Sequence, residues 1–143
     1  MALLSEMPRI FWAGDSTVKQ NDFTSYPQCG IGQGFSLFVK KEILIVNRAE
    51  NGRSTKSFID EGRLEFIKEN IHKGDFLFIQ FGHNDEKNDP LRYTDPQTTF
   101  KDNLRTFINT AKNVGAYPLL ITPLYRRLFA SEGKLVDNTH LTY

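Results

Sequence analysis

Four apolar runs, none of them alternating with polar residues, constrain this chain most: 9–13, 42–47 around Ile43-Leu44-Ile45-Val46, 75–81 around Phe76-Leu77-Phe78-Ile79, and 117–122, closed by Pro123. A strand that is apolar on both faces has to be covered on both faces, as in a parallel sheet flanked by helices. The intervening segments supply the covers. Phe58, Leu64, Ile67 and Ile71 recur at roughly helical spacing before Gly74, and Phe100, Leu104, Phe107, Ile108 and Ala111 do so more clearly between Pro96 and Gly115. Segment 18–41 is polar and glycine-rich at first, then offers Phe35, Leu37, Phe38 and Val39 as a short helix. Strand, helix, strand, helix, strand is the order of βαβ units. The pattern predicts an α/β fold, a three-layer α/β/α sandwich with a parallel, flavodoxin-like sheet. A doubly wound sheet usually continues past the fourth strand, so a small or C-terminally truncated domain is expected.

Composition narrows the classes of function. The 143 residues suit one domain. Lys and Arg total 18 against 17 Asp and Glu, so no net field draws the chain to nucleic acid or to an anionic membrane. Cys29 is the only cysteine, which excludes an intrachain disulfide and a multi-cysteine zinc site and suits a reducing compartment. Residues 1–8 lack the basic start and apolar stretch of a secretory signal, and no segment reaches membrane-spanning length. A cytoplasmic protein is expected, with an extracellular one whose signal has been removed as the alternative. No cofactor or metal is expected, and the oligomeric state is open.

In a parallel sheet the residues that follow each strand collect at one edge, however distant they are in sequence. Gly14-Asp15-Ser16 follows the first strand, Asn47 to Ser54 the second, and Gly82-His83-Asn84-Asp85 the third. A hydroxyl, an unobstructed glycine N–H and an asparagine amide are the parts needed to attack an ester carbonyl and hold its oxyanion. Each residue also has a plainer reading. Asp15-Ser16-Thr17 can open a helix, Gly52 can serve a positive-φ turn, and Asn84 can cap a helix. Arg53 reads first as half of an ion pair, and His72 as a cation at a helix C-terminus.

Taken in order, these blocks resemble the signatures of the SGNH (GDSL) hydrolase superfamily. The Asn-x-Ala-x-x-Gly-Arg-Ser pattern of Asn47 to Ser54, Phe81-Gly82-His83-Asn84-Asp85, and Thr122 to Arg127 resemble its rhamnogalacturonan acetylesterase-like branch. The resemblance implies that Ser16 is the nucleophile. It implies an oxyanion hole made of the Ser16 N–H, the Gly52 N–H and the Asn84 side-chain amide. Asp15 and Asp85 would brace their turns, and His83 would order the Asn84 loop or touch the acyl group. One departure is Ile31 in Gly30-Ile31-Gly32-Gln33, where the family often has tryptophan.

A serine needs a base, usually a histidine oriented by a carboxylate. Asp137-Asn138-Thr139-His140 fits the family's final Asp-x-x-His block literally. The stretch 135–143 is more similar to a Thr-His-x-x-Tyr segment that precedes that block in the branch. Two expectations follow: an amino-terminal portion whose Asp-His pair lies beyond Tyr143, or a compact triad completed by Asp137 and His140. The resemblance implies an esterase removing acetyl groups from plant cell-wall saccharides, rhamnogalacturonan ahead of xylan. Asn51, Arg53, Asn88 and Tyr93 are candidate sugar contacts. The rivals are a flavodoxin-like binding module, with 30–34 cradling a phosphate, and a catalytically dead member of the family.

Overall fold

The computed structural model describes residues 7–136, 140 and 142–143. Its centre is β1 (Ile10–Gly14), buried at all five positions. On one side β1 pairs with β2 (Ile45–Asn47), in the register Ile10 with Ile45 and Trp12 with Asn47. On the other it pairs with β3 (Phe76–Gln80), Ile10 opposite Phe76 and Gly14 opposite Gln80. The strand β4 (Tyr117–Leu120) adds to β3, so the order is β2-β1-β3-β4 with every pair parallel. This is the strand order of the first four strands of a flavodoxin-like sheet.

The pleat sorts side chains to two faces. Phe11, Ala13, Leu77 and Ile79 share one core with Phe58, Leu64, Ile67, Phe100 and Phe107. Those partners come from α2 (Thr55–Asp60), α3 (Arg63–Asn70) and α4 (Thr99–Lys112). The other face is thinner. There Ile10 and Trp12 pack with Val18, Ala49, Ile31, Phe35 and Phe78, beneath α1 (Ile31–Gly34) and the 3₁₀ turn Phe35–Phe38. Trp12 meets the Phe78 ring edge-on at 4.8 Å and that of Phe35 at 5.6 Å. The three-layer α/β/α architecture expected from the sequence is the one observed.

At the amino ends of the strands, Arg9 and Asp75 pin β1 to β3. Asp75 accepts from the Arg9 backbone N–H at 2.8 Å and from its guanidinium at 2.7 Å. Burial pushes the Asp75 carboxyl up, and the bonds from Arg9 and the His72 N–H overcome it, leaving the group below its ordinary value. His72 accordingly lies just past α3 as a partner for Arg9, its Nδ1 at 2.7 Å from Nη2.

Two expectations are corrected. The helical run 58–71 is two helices, because Gly62 takes a left-handed φ of 73° between them. The apolar spacing runs through the break because both helices face one core. The second strand is shorter than its apolar run. Ile43 packs against the core without joining the ladder, and only the Leu44 carbonyl reaches β1, accepting from Ile10 N at 2.9 Å.

Candidate active site

The turn after β1 is built by Asp15. Its Oδ1 accepts from the Thr17 N–H and from Thr17 Oγ1, both at 2.8 Å, and its backbone carbonyl accepts from Val18 N and Lys19 N. No helix begins at residues 14–17, so the capping reading of Asp15-Ser16-Thr17 fails; this is a tight turn that presents Ser16 at the carboxyl edge of the central strand. Ser16 is partly exposed while Asp15 beneath it is fully buried. Among the described residues neither the Ser16 N–H nor the Ser16 hydroxyl makes a hydrogen bond.

The turn after β2 places Gly52 at φ 75°, a left-handed conformation in which a side chain is strained. Its N–H, too, has no hydrogen-bond partner among the described residues. Ser54 and Ser57 then form a reciprocal capping box that starts α2. Arg53 takes the plainer of its two readings, an ion pair with Glu61 at 2.8 Å.

Asn84, in the loop after β3, is 3% exposed and crosses between the other two turns. Its Nδ2 donates to the Arg53 carbonyl at 3.1 Å and, at 3.4 Å, to Asp15 Oδ2. One amide therefore joins the Ser16 turn, the Gly52 turn and its own loop. Asp85 locks the same junction from below. Its Oδ1 accepts from Thr55 N at 3.0 Å, Thr55 Oγ1 at 2.5 Å and Thr94 Oγ1 at 2.9 Å, so a carboxylate occupies the N-terminus of α2. Burial raises the Asp85 carboxyl to about 6 against the pull of the Thr55 and Thr94 bonds, and the charge of Asp15 adds to the rise.

A second polar layer lies behind Asn84. His83 Nδ1 sits 3.7 Å from Asp15 Oδ2. Burial lowers the affinity of this ring for a proton; Asp15 opposes that, and the His140 and Arg126 charges reinforce it, so His83 stays below the usual imidazole value. His140 packs on His83 with ring centroids 4.1 Å apart and places Nδ1 2.9 Å from Glu86 Oε2. Its Nε2 is buried with no partner among the described residues. Asp137 lies outside the described residues. The carboxylate found beside His140 is Glu86, which the sequence reading did not single out.

The space at Gly30 and Gly32 is filled by protein. A Cβ on Gly30 would lie 2.3 Å from the Lys19 carbonyl, and one on Gly32 would lie 2.6 Å from Asn47 Nδ2. The phosphate-cradle reading of this segment is thereby replaced by close packing of the loop after β1. Ile31 packs against the Trp12 cluster. A depression of about 600 Å³ lies along Asn21, Phe23, Tyr26 and Gln33, and none of Ser16, Gly52 and Asn84 lines it. Among the described residues no three His, Cys, Asp or Glu side chains gather as a metal-ligating group.

No family model matches the chain. It is 43% identical over 127 residues to the rhamnogalacturonan acetylesterase RhgT of Bacillus subtilis, a match covering 89% of this chain and 53% of that protein. It is 49% identical over 118 residues to the "Probable rhamnogalacturonan acetylesterase YesY" of the same organism, covering 82% and 54%. The crystal structure of the Bacillus subtilis protein YxiM superimposes with a TM-score of 0.79 at 32% identity, over 93% of this chain and 38% of that one. The chain thus spans about half the length of the curated relatives it matches. Fold, ordered strand-end blocks and these likenesses together place the chain in the SGNH (GDSL) hydrolase superfamily. Within it, the chain belongs to the rhamnogalacturonan acetylesterase-like branch.

Proposed function

We propose that this chain carries the nucleophile and oxyanion donors of a carboxylic ester hydrolase that removes acetyl groups from rhamnogalacturonan-type saccharides. The observation that carries the reading is the crossing of Asn84 between the Ser16 and Gly52 turns. In this reading Ser16 Oγ attacks the acetyl carbonyl, and the oxygen that becomes negative is held by the Ser16 N–H, the Gly52 N–H and Asn84 Nδ2, which exchanges its long 3.4 Å bond to Asp15 Oδ2 for the oxyanion while keeping that to Arg53. The sugar alcohol leaves with a proton, and water then releases acetate from Ser16. Backbone and amide donors hold the developing charge without titrating themselves, and one such donor is typically worth about 10²–10³ in turnover.

We do not assign His140 as the base: Glu86 orients its Nδ1 as an acid would, but its Nε2, the nitrogen that would serve the serine, makes no hydrogen bond to Ser16 among the described residues. Asn51, Asn88 and Tyr93 remain exposed near the edge as hydrogen-bonding groups for a sugar. Arg53 is withdrawn from that set by Glu61. The names of the relatives support the substrate class.

The test is hydrolysis of p-nitrophenyl acetate and of acetylated rhamnogalacturonan oligosaccharides, with Ser16→Ala and His140→Ala beside the parent protein. Loss of turnover in Ser16→Ala with Ser16-dependent turnover persisting in His140→Ala supports the reading. Turnover that survives Ser16→Ala refutes it.

A further inference from the structure

The segment 82–86, which carries Asn84, is gripped by two residues from the far end of the sequence. His140 takes Glu86 with Nδ1 at 2.9 Å and packs its ring against that of His83, centroids 4.1 Å apart and planes tilted by 58°. The Tyr143 hydroxyl donates to the Asp85 carbonyl at 3.2 Å and to the Thr94 carbonyl at 2.6 Å. Where Gly82 lacks a side chain, a Cβ would sit 3.5 Å from that of Tyr143. Arg126 closes the far side, its Nη2 at 3.1 Å from Glu86 Oε1 and 3.4 Å from the His83 carbonyl. His83, Asp85 and Glu86 are thus each held by His140 or Tyr143, and Asn84 between them reaches Arg53 and Asp15.

The hold is built with care for its partners. The His140 side chain is 3% exposed, and its backbone adopts φ 64°, a conformation a non-glycine residue keeps only when its surroundings fix it. Burial pushes the Tyr143 hydroxyl up to about 12, so it remains a donor at any working pH. An oxyanion donor has value only when it is fixed before charge develops, since reorientation during the reaction forfeits the benefit.

We propose that His140 and Tyr143 are positioning residues that clamp the Asn84 loop against the nucleophile turn and so set the aim of the Asn84 amide. The inference rests on the reading of Ser16, Gly52 and Asn84 as an acyl-transfer site. Neither clamp residue touches the reacting atoms.

The experiment reads the loop directly, by ¹⁵N NMR of the 143-residue protein. It follows the Asn84 side-chain amide resonances and hydrogen exchange at Glu86, Lys87 and Thr94, whose N–H groups donate to the Gly82, Asn84 and Asp85 carbonyls. Tyr143→Phe and His140→Ala should each shift the Asn84 amide and speed exchange at these positions about 10-fold, while amides of β1 and β3 keep their rates. His140→Asn, whose Nδ2 stands where His140 Nδ1 does and can still donate to Glu86, should restore most of the parent behaviour. An unmoved Asn84 resonance, or protection lost equally across β1 and β3, overturns the clamp. Should His140→Ala fail to fold, Tyr143→Phe, which removes one hydroxyl, decides alone by the same criteria. No turnover enters the measurement, so failure of the esterase reading and failure of the clamp are separate results.

Discussion

Asp85→Asn separates the electrostatic cost of the site's foundation from its hydrogen bonds. Asp85 is fully buried, and its carboxyl is raised from 3.8 to about 6. Between those values the native state keeps a proton that the unfolded chain has released, so native stability falls as pH rises through this window. The loss is complete above it and amounts to about 3 kcal/mol. The three shortest donor contacts, from Thr55 N, Thr55 Oγ1 and Thr94 Oγ1, all fall on Oδ1, which asparagine retains. The new NH₂ would stand where Oδ2 accepts from Thr55 N at 3.2 Å. Donor then faces donor, at a cost of roughly 1–3 kcal/mol at every pH. The variant should therefore be less stable than the parent at pH 4.5 and gain about 2 kcal/mol relative to it by pH 8. Shifts shared by both proteins, such as that of Asp75, cancel in the difference. Urea unfolding, followed through the single, buried Trp12, measures it. A stability difference that does not change between pH 4.5 and 8 would refute the reasoning, because Asp85 would then titrate as an ordinary carboxylate.

Phe58→Ala should cost about 3–5 kcal/mol in the same unfolding assay, since the ring is fully buried between Phe81 at 5.4 Å and Phe107 at 5.6 Å. Gly52→Ala should cost about 1–2 kcal/mol. A Cβ there has room, its nearest neighbour being Arg92 Nη1 at 3.8 Å, so the penalty comes from φ 75° alone and a neutral result would contradict it. Asn84→Ala should lower Ser16-dependent turnover about 10²–10³-fold, with steady-state kinetics on p-nitrophenyl acetate as the check.

The strands were legible because each is an apolar run ending in glycine, asparagine or proline. The strand ends could be grouped because a parallel sheet collects them at one edge. Element boundaries were less legible. Ile43 is half-buried by packing and not by the ladder, and Gly62 interrupts a helix without interrupting its apolar spacing. Ser16, Gly52 and Asn84 were named from local motifs, and the fold brings their turns together. The residues that hold those turns were harder to name. Asp85 meets Thr55 across 30 residues and Glu86 meets His140 across 54, and nothing in either local sequence marks its partner. Only topology brings them together. Asp15 was an exception, because its bond to the Thr17 N–H is a two-residue turn that composition alone suggests.

Covalent capture of the nucleophile tests the central claim most directly. The protein is treated with a fluorophosphonate and the adduct is located by peptide mass mapping. The account expects a single phosphonyl group on Ser16, absent from Ser16→Ala and formed more slowly in Asn84→Ala. An adduct on another residue, or none on Ser16, would contradict it.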